Sequence, residues 1–354
     1  MHTRRQGPGT ARSALVLVPA KLNYFYDLHG RRLADALQAL GFDVDVCTLA
    51  RRPEKTYDWC VLTNISEIVL SHDQEDAEDV TGDITWEEEL AAIDAIRRLH
   101  RSCRVVTACS LDCVGTAWYS AIEQRCAAAR IATVLDFGLH DQSPFLGPDG
   151  PERRPAYWFV PNGLTPSERR AVGAEPDDHR PLPWAFVGHT TANRAALVDR
   201  LMQQVDPRGF VYMPGIGKIT EKGSPHLNQK QYDTVLRRTR YQVWCSHHAH
   251  FYMESERFRM SLLAGSVPVK VVPDRKAVPA RLLFDYLVLD EEEVAGRLRE
   301  MDFQAVRRRF RDDFRAVPGI AAGVAGYLVA AGVLRPGEAE AAAQPDEPEM
   351  RRAG

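Results

Sequence analysis

The short segment Glu254-Ser255-Glu256-Arg257 brings two carboxylates, a hydroxyl and a guanidinium together at the predicted start of a helix. Free backbone N–H groups at a helix N-terminus bind anions such as phosphate, and an arginine adds charge-assisted hydrogen bonds. A carboxylate at the same place can accept two hydrogen bonds from a ribose diol. The segment therefore predicts a site for a nucleoside diphosphate, with Ser255 as the helix N-cap.

A second polar turn, Gly188-His189-Thr190-Thr191, follows an apolar strand and precedes a helix that carries Arg194. Its N–H groups and hydroxyls suit a phosphate, and Arg194 would lie one turn inside the helix. An N-capped turn with a surface arginine explains the same residues equally well. The sequence alone leaves both interpretations open.

Histidines cluster just before the first segment, where His247 and His248 follow another predicted strand. No carboxylate stands at ligand spacing beside them, so the cluster does not predict a metal site. We expect them to contact the sugar or the diphosphate. For each one separately, a plain surface position is the alternative.

The N-terminal half carries two candidate groups of its own at predicted strand ends. Asn23, Tyr24 and Tyr26 follow the first strand, and exposed aromatic rings stack well on sugar faces, which predicts an acceptor site. Packing of the loop on the first helix is the alternative. His140 beside Asp141 is the best candidate for a general base, since a carboxylate can orient an imidazole that titrates near neutral pH. A turn-forming hydrogen bond explains that pair as well.

Apolar strands alternate with amphipathic helices along most of the chain, which is typical of parallel sheets with βαβ crossovers. Ligands of such sheets bind beyond the carboxyl ends of the strands, where all the segments above are expected to lie. The stretch 163–182 has no apolar period and predicts a domain boundary. We expect two Rossmann-like α/β domains, 12–165 and 180–333, which face a cleft, and a disordered tail at 336–354.

The composition excludes several classes of protein. With 354 residues, of which 45% are hydrophobic, the chain is large enough for two cores. The formal charge of −3 argues against non-specific nucleic-acid binding. No apolar run approaches the ~20 residues of a membrane span, and the N-terminus lacks the pattern of a secretion signal. We therefore expect a cytoplasmic protein with no nucleic acid and no integral membrane contact among its partners.

The stretch from Ser255-Glu-Arg-Phe to Leu-Leu-Ala-Gly-Ser-Val-Pro-Val269 resembles the donor-site helix of GT-B glycosyltransferases, in particular the exostosin-like and spore-coat-type group. The resemblance covers about residues 186–272 and includes the strand and loop around Gly188. It implies a nucleotide-sugar donor on the C-terminal domain and no bound metal or other cofactor. The glutamate that holds the donor ribose in that group falls on Met260. Either Glu254 or Glu256 substitutes for it, or the donor is held differently, or transfer activity has been lost. Two carboxylates at one helix start favour substitution.

These observations predict a metal-independent glycosyltransferase of the hexosyltransferase type. It would move a sugar from a nucleotide diphosphate to a small molecule or glycan, and Arg194, the segment from Glu254 to Arg257 and His189 would hold the leaving diphosphate. An epimerase that acts on sugar nucleotides and a catalytically silent nucleotide-sugar binder are the alternatives. A nicotinamide-dependent dehydrogenase is disfavoured, because the first strand is not followed by G-x-G-x-x-G.

Overall fold

The computed structural model describes residues 12–20, 24–71, 84–111, 116–140, 155–172, 179–214, 227–246, 251–278 and 282–343. These ranges form two parallel β-sheets covered by helices, which confirms the predicted fold class. No helix within them has the length and apolar character that a membrane span requires.

The first sheet contains six parallel strands: β1 (Arg12–Leu17), β2 (Phe42–Cys47), β3 (Tyr57–Leu62), β4 (Cys103–Ser110), β5 (Thr133–Gly138) and β6 (Ala156–Pro161). Their spatial order is β2-β1-β3-β4-β5-β6. Ala14, Leu15, Val16 and Leu17 of β1 are fully buried. A continuous apolar run predicts such a strand, because helices cover both faces of a parallel sheet.

The helices of this half are α1 (Tyr24–Ala39), α2 (Ile65–Leu70), α3 (Trp86–Ser102), α4 (Ala117–Ala128) and α5 (Pro166–Ala171). α1 packs on one face of the sheet, whereas α2, α3 and α4 pack on the other. Polar caps define several helix starts, including Asn64 before α2 and the Thr85 capping box of α3. The helical spacing of leucines predicts a helix from Leu28, but α1 begins at Tyr24, so the predicted aromatic loop is partly the first turn of this helix.

The second sheet contains five parallel strands: β7 (Leu182–Val187), β8 (Phe210–Tyr212), β9 (Thr239–Cys245), β10 (Val267–Val272) and β11 (Val288–Asp290). Their order is β11-β10-β9-β7-β8. The apolar pattern of the sequence predicts a strand over 286–289, but β11 begins at Val288, because Phe284 has a left-handed φ of 62° and a 3-10 helix, Asp285–Leu287, precedes β11. This conformation lets the Phe284 ring stack on Phe258 and Phe314 in the core.

The second sheet is covered by α6 (Ala192–Gln204), α7 (Gln229–Arg237), α8 (Ser255–Ala264), α9 (Val294–Glu300) and α10 (Phe303–Arg315). α8 ends at Gly265, whose φ of 70° is left-handed. Glycine adopts this conformation without steric cost, so the sequence predicts the end of α8 at Gly265 and the structure places it there.

The last part of the chain returns to the first sheet. α11 (Ile320–Ala330) packs on α1 and β6, and Ile320, Val324 and Leu328 are buried in the same cluster as β1. A Cβ on Gly323 would lie 2.7 Å from Val160 Cγ1, so the glycine permits this close approach. The predicted range 180–333 for the C-terminal domain therefore includes a helix that belongs to the N-terminal core.

The segment predicted to be disordered, 336–354, contains one more helix, α12 (Pro336–Ala343). Glu338 forms a salt bridge of 2.8 Å with Arg12, and Ala339 packs against the N-terminal core. These contacts order a stretch whose composition alone predicts disorder. Residues 344–354 lie outside the described ranges.

The carboxyl ends of the two sheets face each other. Asn162, just beyond β6, donates a hydrogen bond of 2.8 Å to the Ser255 hydroxyl at the start of α8. The Tyr252 hydroxyl donates to the backbone carbonyl of Leu111, just beyond β4. The start of α8, with the predicted segment from Glu254 to Arg257, therefore lies where the two domains meet.

Candidate functional site

The first group at this interface forms around Gly188, which directly follows β7. A Cβ built on Gly188 would lie 3.3 Å from Nη1 of Arg194 and 3.6 Å from Nη2 of Arg257. Arg194 comes from the first turn of α6, and Arg257 comes from the first turn of α8. Two helix N-termini thus bring two guanidinium groups to one glycine at the carboxyl edge of the sheet.

Backbone contacts hold both arginines in place. Arg194 donates hydrogen bonds to the carbonyls of Cys245, at 3.2 Å, and His189, at 3.1 Å. Arg257 donates to the Val187 carbonyl at 2.9 Å and lies over the Trp244 ring, 5.5 Å from its centroid. Burial lowers the pKa of Arg194, and the neighbouring charge of Arg257 lowers it further. Like charges held this close favour an anion between them.

The Gly188 turn itself differs from the prediction. The Gly188 N–H donates to the Tyr212 carbonyl, and the Thr190 N–H donates to the Pro214 carbonyl, each at 3.1 Å. The Thr190 hydroxyl donates to the Met213 carbonyl at 2.8 Å. These donors continue the pairing of β7 with β8, so they are not directed at a phosphate. The turn contributes space at Gly188, and the arginines contribute the charge.

Glu254 is the N-cap of α8, a position predicted for Ser255, and its side chain makes no capping hydrogen bond. One carboxylate oxygen accepts from the Lys270 ammonium at 2.5 Å, and the other accepts from the Ser246 hydroxyl at 3.1 Å. Burial by itself would raise the pKa of Glu254, but the buried Lys270 outweighs it and holds the pKa at about 2. Glu254 is therefore an ionised counterion beside the two arginines.

Glu256 points away from Gly188 into a second, interdomain group. Its Oε1 accepts from Arg32 of α1 and from Asn162, each at 2.8 Å, and its Oε2 accepts two hydrogen bonds from Arg259. Glu168 of α5 also pairs with both arginines, at 3.1 Å from Arg32 and 2.6 Å from Arg259. We call these five residues the interdomain network.

The interdomain network changes the role predicted for Glu256. Burial opposes its ionisation, but Arg259 and Arg32 hold the pKa of Glu256 well below its usual range. Its carboxylate accepts all four of these hydrogen bonds from other side chains of the interdomain network. They pair its buried charge, which would otherwise be costly. The structure thus gives Glu256 an interdomain ion-pair role, and its contact with a ribose stays a prediction.

Met260, which stands where the resemblance places a glutamate, is buried between α7 and α8. It packs with Tyr232, Leu236 and Ala264. An ionised glutamate at this position would lose its hydration in an apolar cluster.

Sequence reasoning did not select His29, which is buried in α1 one turn before Arg32. Its ring meets the Phe137 ring edge to face, with centroids 4.5 Å apart. Neither ring nitrogen has a hydrogen-bond partner in the part of the chain that the structure describes. Burial, followed by the charge of Arg32, lowers the pKa of His29 to about 3, so the imidazole is neutral. The residues around His29 in the sequence do not indicate that its side chain is buried.

The other predicted residues are only partly described. His140 lies just beyond β5 and is half-buried, whereas Asp141, Asn23, His247 and His248 fall outside the described ranges. Tyr24 and Tyr26 lie in the first turn of α1, and their side chains are not described. His189 contributes its backbone carbonyl to Arg194. Within the described ranges, no three His, Cys, Asp or Glu side chains form a group that could hold a metal ion.

Comparison with known proteins gives a match at the level of the fold. No protein-family model matches the sequence, and no curated protein matches it either. An α-glucosyltransferase solved with UDP-glucose and DNA containing an abasic site superposes with a TM-score of 0.53 at 10% identity, over 86% of this chain and 94% of the other. A DNA-modifying β-glucosyltransferase superposes with a TM-score of 0.51 at 9% identity, over 91% of this chain and 99% of the other. The two facing parallel-sheet domains are thus the GT-B fold.

Proposed function

We propose that this protein is a glycosyltransferase that moves a sugar from a nucleotide diphosphate to an acceptor. The convergence of Arg194 and Arg257 on Gly188, at the carboxyl edge of the second sheet, carries the proposal. The GT-B fold and the glucosyltransferases that share it support the same reaction class. Two alternatives were left open by the sequence. No observation on the described residues favours an epimerase. The turnover experiment below distinguishes a silent nucleotide-sugar binder from an enzyme.

The charge of the site suits a diphosphate. Its described groups are three cations, Arg194, Arg257 and Lys270, and one carboxylate, Glu254. The excess positive charge lies in a partly buried place, where electrostatic interactions are stronger than in water. A diphosphate that leaves the sugar gains negative charge, and preorganised cations that stabilise this charge lower the barrier.

The ion pair between Glu254 and Lys270 fixes the position of the first turn of α8. Glu254 offsets part of the positive charge, and its ion pair holds the first turn of α8 against β10. Arg257 lies in that same turn, so its guanidinium is positioned before any ligand arrives. Such preorganisation avoids the cost of rearrangement during the reaction.

The acceptor belongs to the N-terminal side of the cleft in this proposal. Asn23, Tyr24 and Tyr26 would contact it, and His140 with Asp141 would remove its proton. The transfer would be of the hexosyl type and independent of a metal, as in the exostosin-like and spore-coat-type group that the α8 segment resembles. We propose a small molecule or glycan acceptor, because the chain has a net charge of −3 and a DNA acceptor would favour a basic surface.

Turnover tests the reaction. The intact chain would be incubated with UDP-glucose and with other sugar nucleotides, alone and with panels of small glycans, phenols and duplex DNA, and the released nucleotide would be measured. We expect release that depends on one non-nucleic-acid acceptor and that EDTA does not abolish. Arg240→Ala, an exposed change at the amino end of β9, should keep this activity, whereas Arg194→Ala should lose most of it.

Each other outcome has a distinct meaning. Binding of a sugar nucleotide without release under any acceptor would indicate the silent binder. Transfer to DNA alone would contradict the proposed acceptor class. Absence of both binding and release would contradict the function as a whole.

A further inference from the structure

A cavity of about 660 Å³ lies on the far side of α8 from Arg257. Residues of α5, α7, α8 and α10 line it, together with Leu28 of α1. Gly188, Arg194 and Arg257 are not among its lining residues. Arg259 and Glu168 of the interdomain network form part of its wall, so this network separates the cavity from the proposed phosphate site.

The floor of the cavity is apolar. Met260, Leu262, Ala264 and Phe310 are buried and line it, and the half-buried Leu263 extends it. Its volume lies within the ~300–1,000 Å³ of typical small-molecule pockets, which combine apolar walls with a few polar groups. The cavity therefore suits a ligand with an apolar body.

One end of the cavity presents hydrogen-bond acceptors. Gln229 donates from Nε2 to Asp233 Oδ1 at 2.8 Å, and this bond orients the Gln229 amide. Its Oε1 is buried and has no hydrogen-bond partner among the residues that the structure describes. Since an unsatisfied buried acceptor is costly, a ligand N–H or O–H at this end would be stabilising. Burial raises the pKa of Asp233, consistent with an apolar environment.

The remaining charge of the wall is positive. Arg307 and Arg311 lie one turn apart on α10, and Arg237 is on α7. With Arg259, four arginines line the cavity, whereas only two carboxylates, Glu168 and Asp233, do so. Arg259 already pairs with Glu168 and Glu256, Arg311 pairs with the exposed Asp312 at 3.2 Å, and Arg307 donates to Gln304 at 3.4 Å. The wall thus complements an anionic group.

We infer that this cavity is a second ligand site, for an organic anion with an apolar body and one hydrogen-bond donor. The donor meets Gln229 Oε1, the body lies on Met260, Leu263 and Phe310, and the anion faces the arginines of α7 and α10. Leu28 lies on α1, which packs on the first sheet, whereas α8 packs on the second sheet, so the occupant contacts both domains. The site is independent of the proposed transferase reaction.

The probe 8-anilinonaphthalene-1-sulfonate has these three features, namely an anilino N–H, fused rings and a sulfonate, and its fluorescence reports burial. We expect saturable binding of one molecule per chain. Leu263→Trp fills the cavity and should raise the Kd about tenfold or more, and Gln229→Leu and the pair Arg307→Ala with Arg311→Ala should each raise it several-fold. Arg308→Ala, an exposed change on the same helix outside the cavity, should leave the Kd unchanged.

Saturating UDP separates this site from the proposed donor site, because it should not displace the probe. Circular dichroism and thermal unfolding check that each variant is folded. If Leu263→Trp does not fold, Gln229→Leu provides the test. Absence of binding, equal Kd values for all folded variants, or displacement by UDP would each overturn the inference. A chain that binds the probe but no nucleotide would retain this site and lose the proposed function.

Discussion

Gly188 is the residue on which the proposed phosphate site depends most directly. Gly188→Ala places a methyl group about 3.3 Å from Arg194 Nη1 and 3.6 Å from Arg257 Nη2, in the space proposed for a phosphate oxygen. We expect nucleotide affinity to fall about tenfold while the fold is retained, since Arg194 need shift by only a few tenths of an ångström to admit the methyl group. Isothermal titration calorimetry with UDP measures the change.

Gly296→Ala is the matched control, because a Cβ at this position in α9 meets nothing within 4 Å. Replacing a glycine inside a helix usually stabilises by about 0.5–1 kcal/mol and should not affect nucleotide binding. Undiminished affinity in Gly188→Ala would show that no ligand occupies this space.

The ion pair between Glu254 and Lys270 predicts a pH dependence of stability. The pKa of Glu254 falls from its ordinary 4.5 to about 2 on folding, so the unfolded chain binds the proton more tightly. The stabilisation is present above pH 4.5 and is lost as the pH falls towards 2. Glu254→Gln should remove this contribution and lose about 3 kcal/mol at pH 7, because Lys270 remains buried without its counterion.

Thermal unfolding between pH 2 and 7 measures this difference. The double replacement Glu254→Leu with Lys270→Met should recover much of the stability, since well-packed apolar residues often replace a buried ion pair without loss. If Glu254→Gln unfolded with the pH profile of the unmodified chain, the pair would not stabilise the fold.

At the scale of elements, α1, α5 and α8 are joined through the interdomain network. Glu256→Gln leaves Arg32 and Arg259 with one carboxylate, Glu168, and should destabilise the chain by about 3 kcal/mol. Because Glu256 does not face Gly188, the affinity for UDP should change less than twofold in the folded variant. Thermal unfolding and calorimetry measure the two effects separately. A large loss of affinity without a loss of stability would instead support the ribose contact expected from sequence.

The sequence predicts the elements better than the contacts between them. Apolar runs such as Ala14 to Leu17, helical spacing and Gly265 all act locally, so they indicate the strands and helices and several of their ends. The partners of Glu256 are not local, since Arg32 is 224 positions away and Asn162 is 94 positions away. Arg194 and Arg257 were predicted to hold one diphosphate, and only the structure shows that their guanidinium groups converge on Gly188.

For the whole molecule, the path of the chain makes the two domains interdependent. α11 covers the face of the first sheet that also holds α1, although it follows the second domain in sequence. Truncation after Val317 would expose Trp59, Val160 and neighbouring apolar residues, and we expect an aggregating protein. The chain truncated after Ala343 should remain monodisperse in size-exclusion chromatography. A monodisperse, cooperatively unfolding chain without α11 would contradict this role.

The most direct test of the central claim is a calorimetric titration of the intact chain with nucleoside diphosphates. We predict saturable binding of one nucleoside diphosphate per chain. Arg194→Ala and Arg257→Ala should each weaken it by about 1.5–3 kcal/mol, or roughly 10- to 150-fold, because charge-assisted hydrogen bonds to phosphate are lost. Arg240→Ala should bind as the unmodified chain does. No binding of any nucleoside diphosphate, or equal affinity in both site variants and the control, would contradict the proposed donor site.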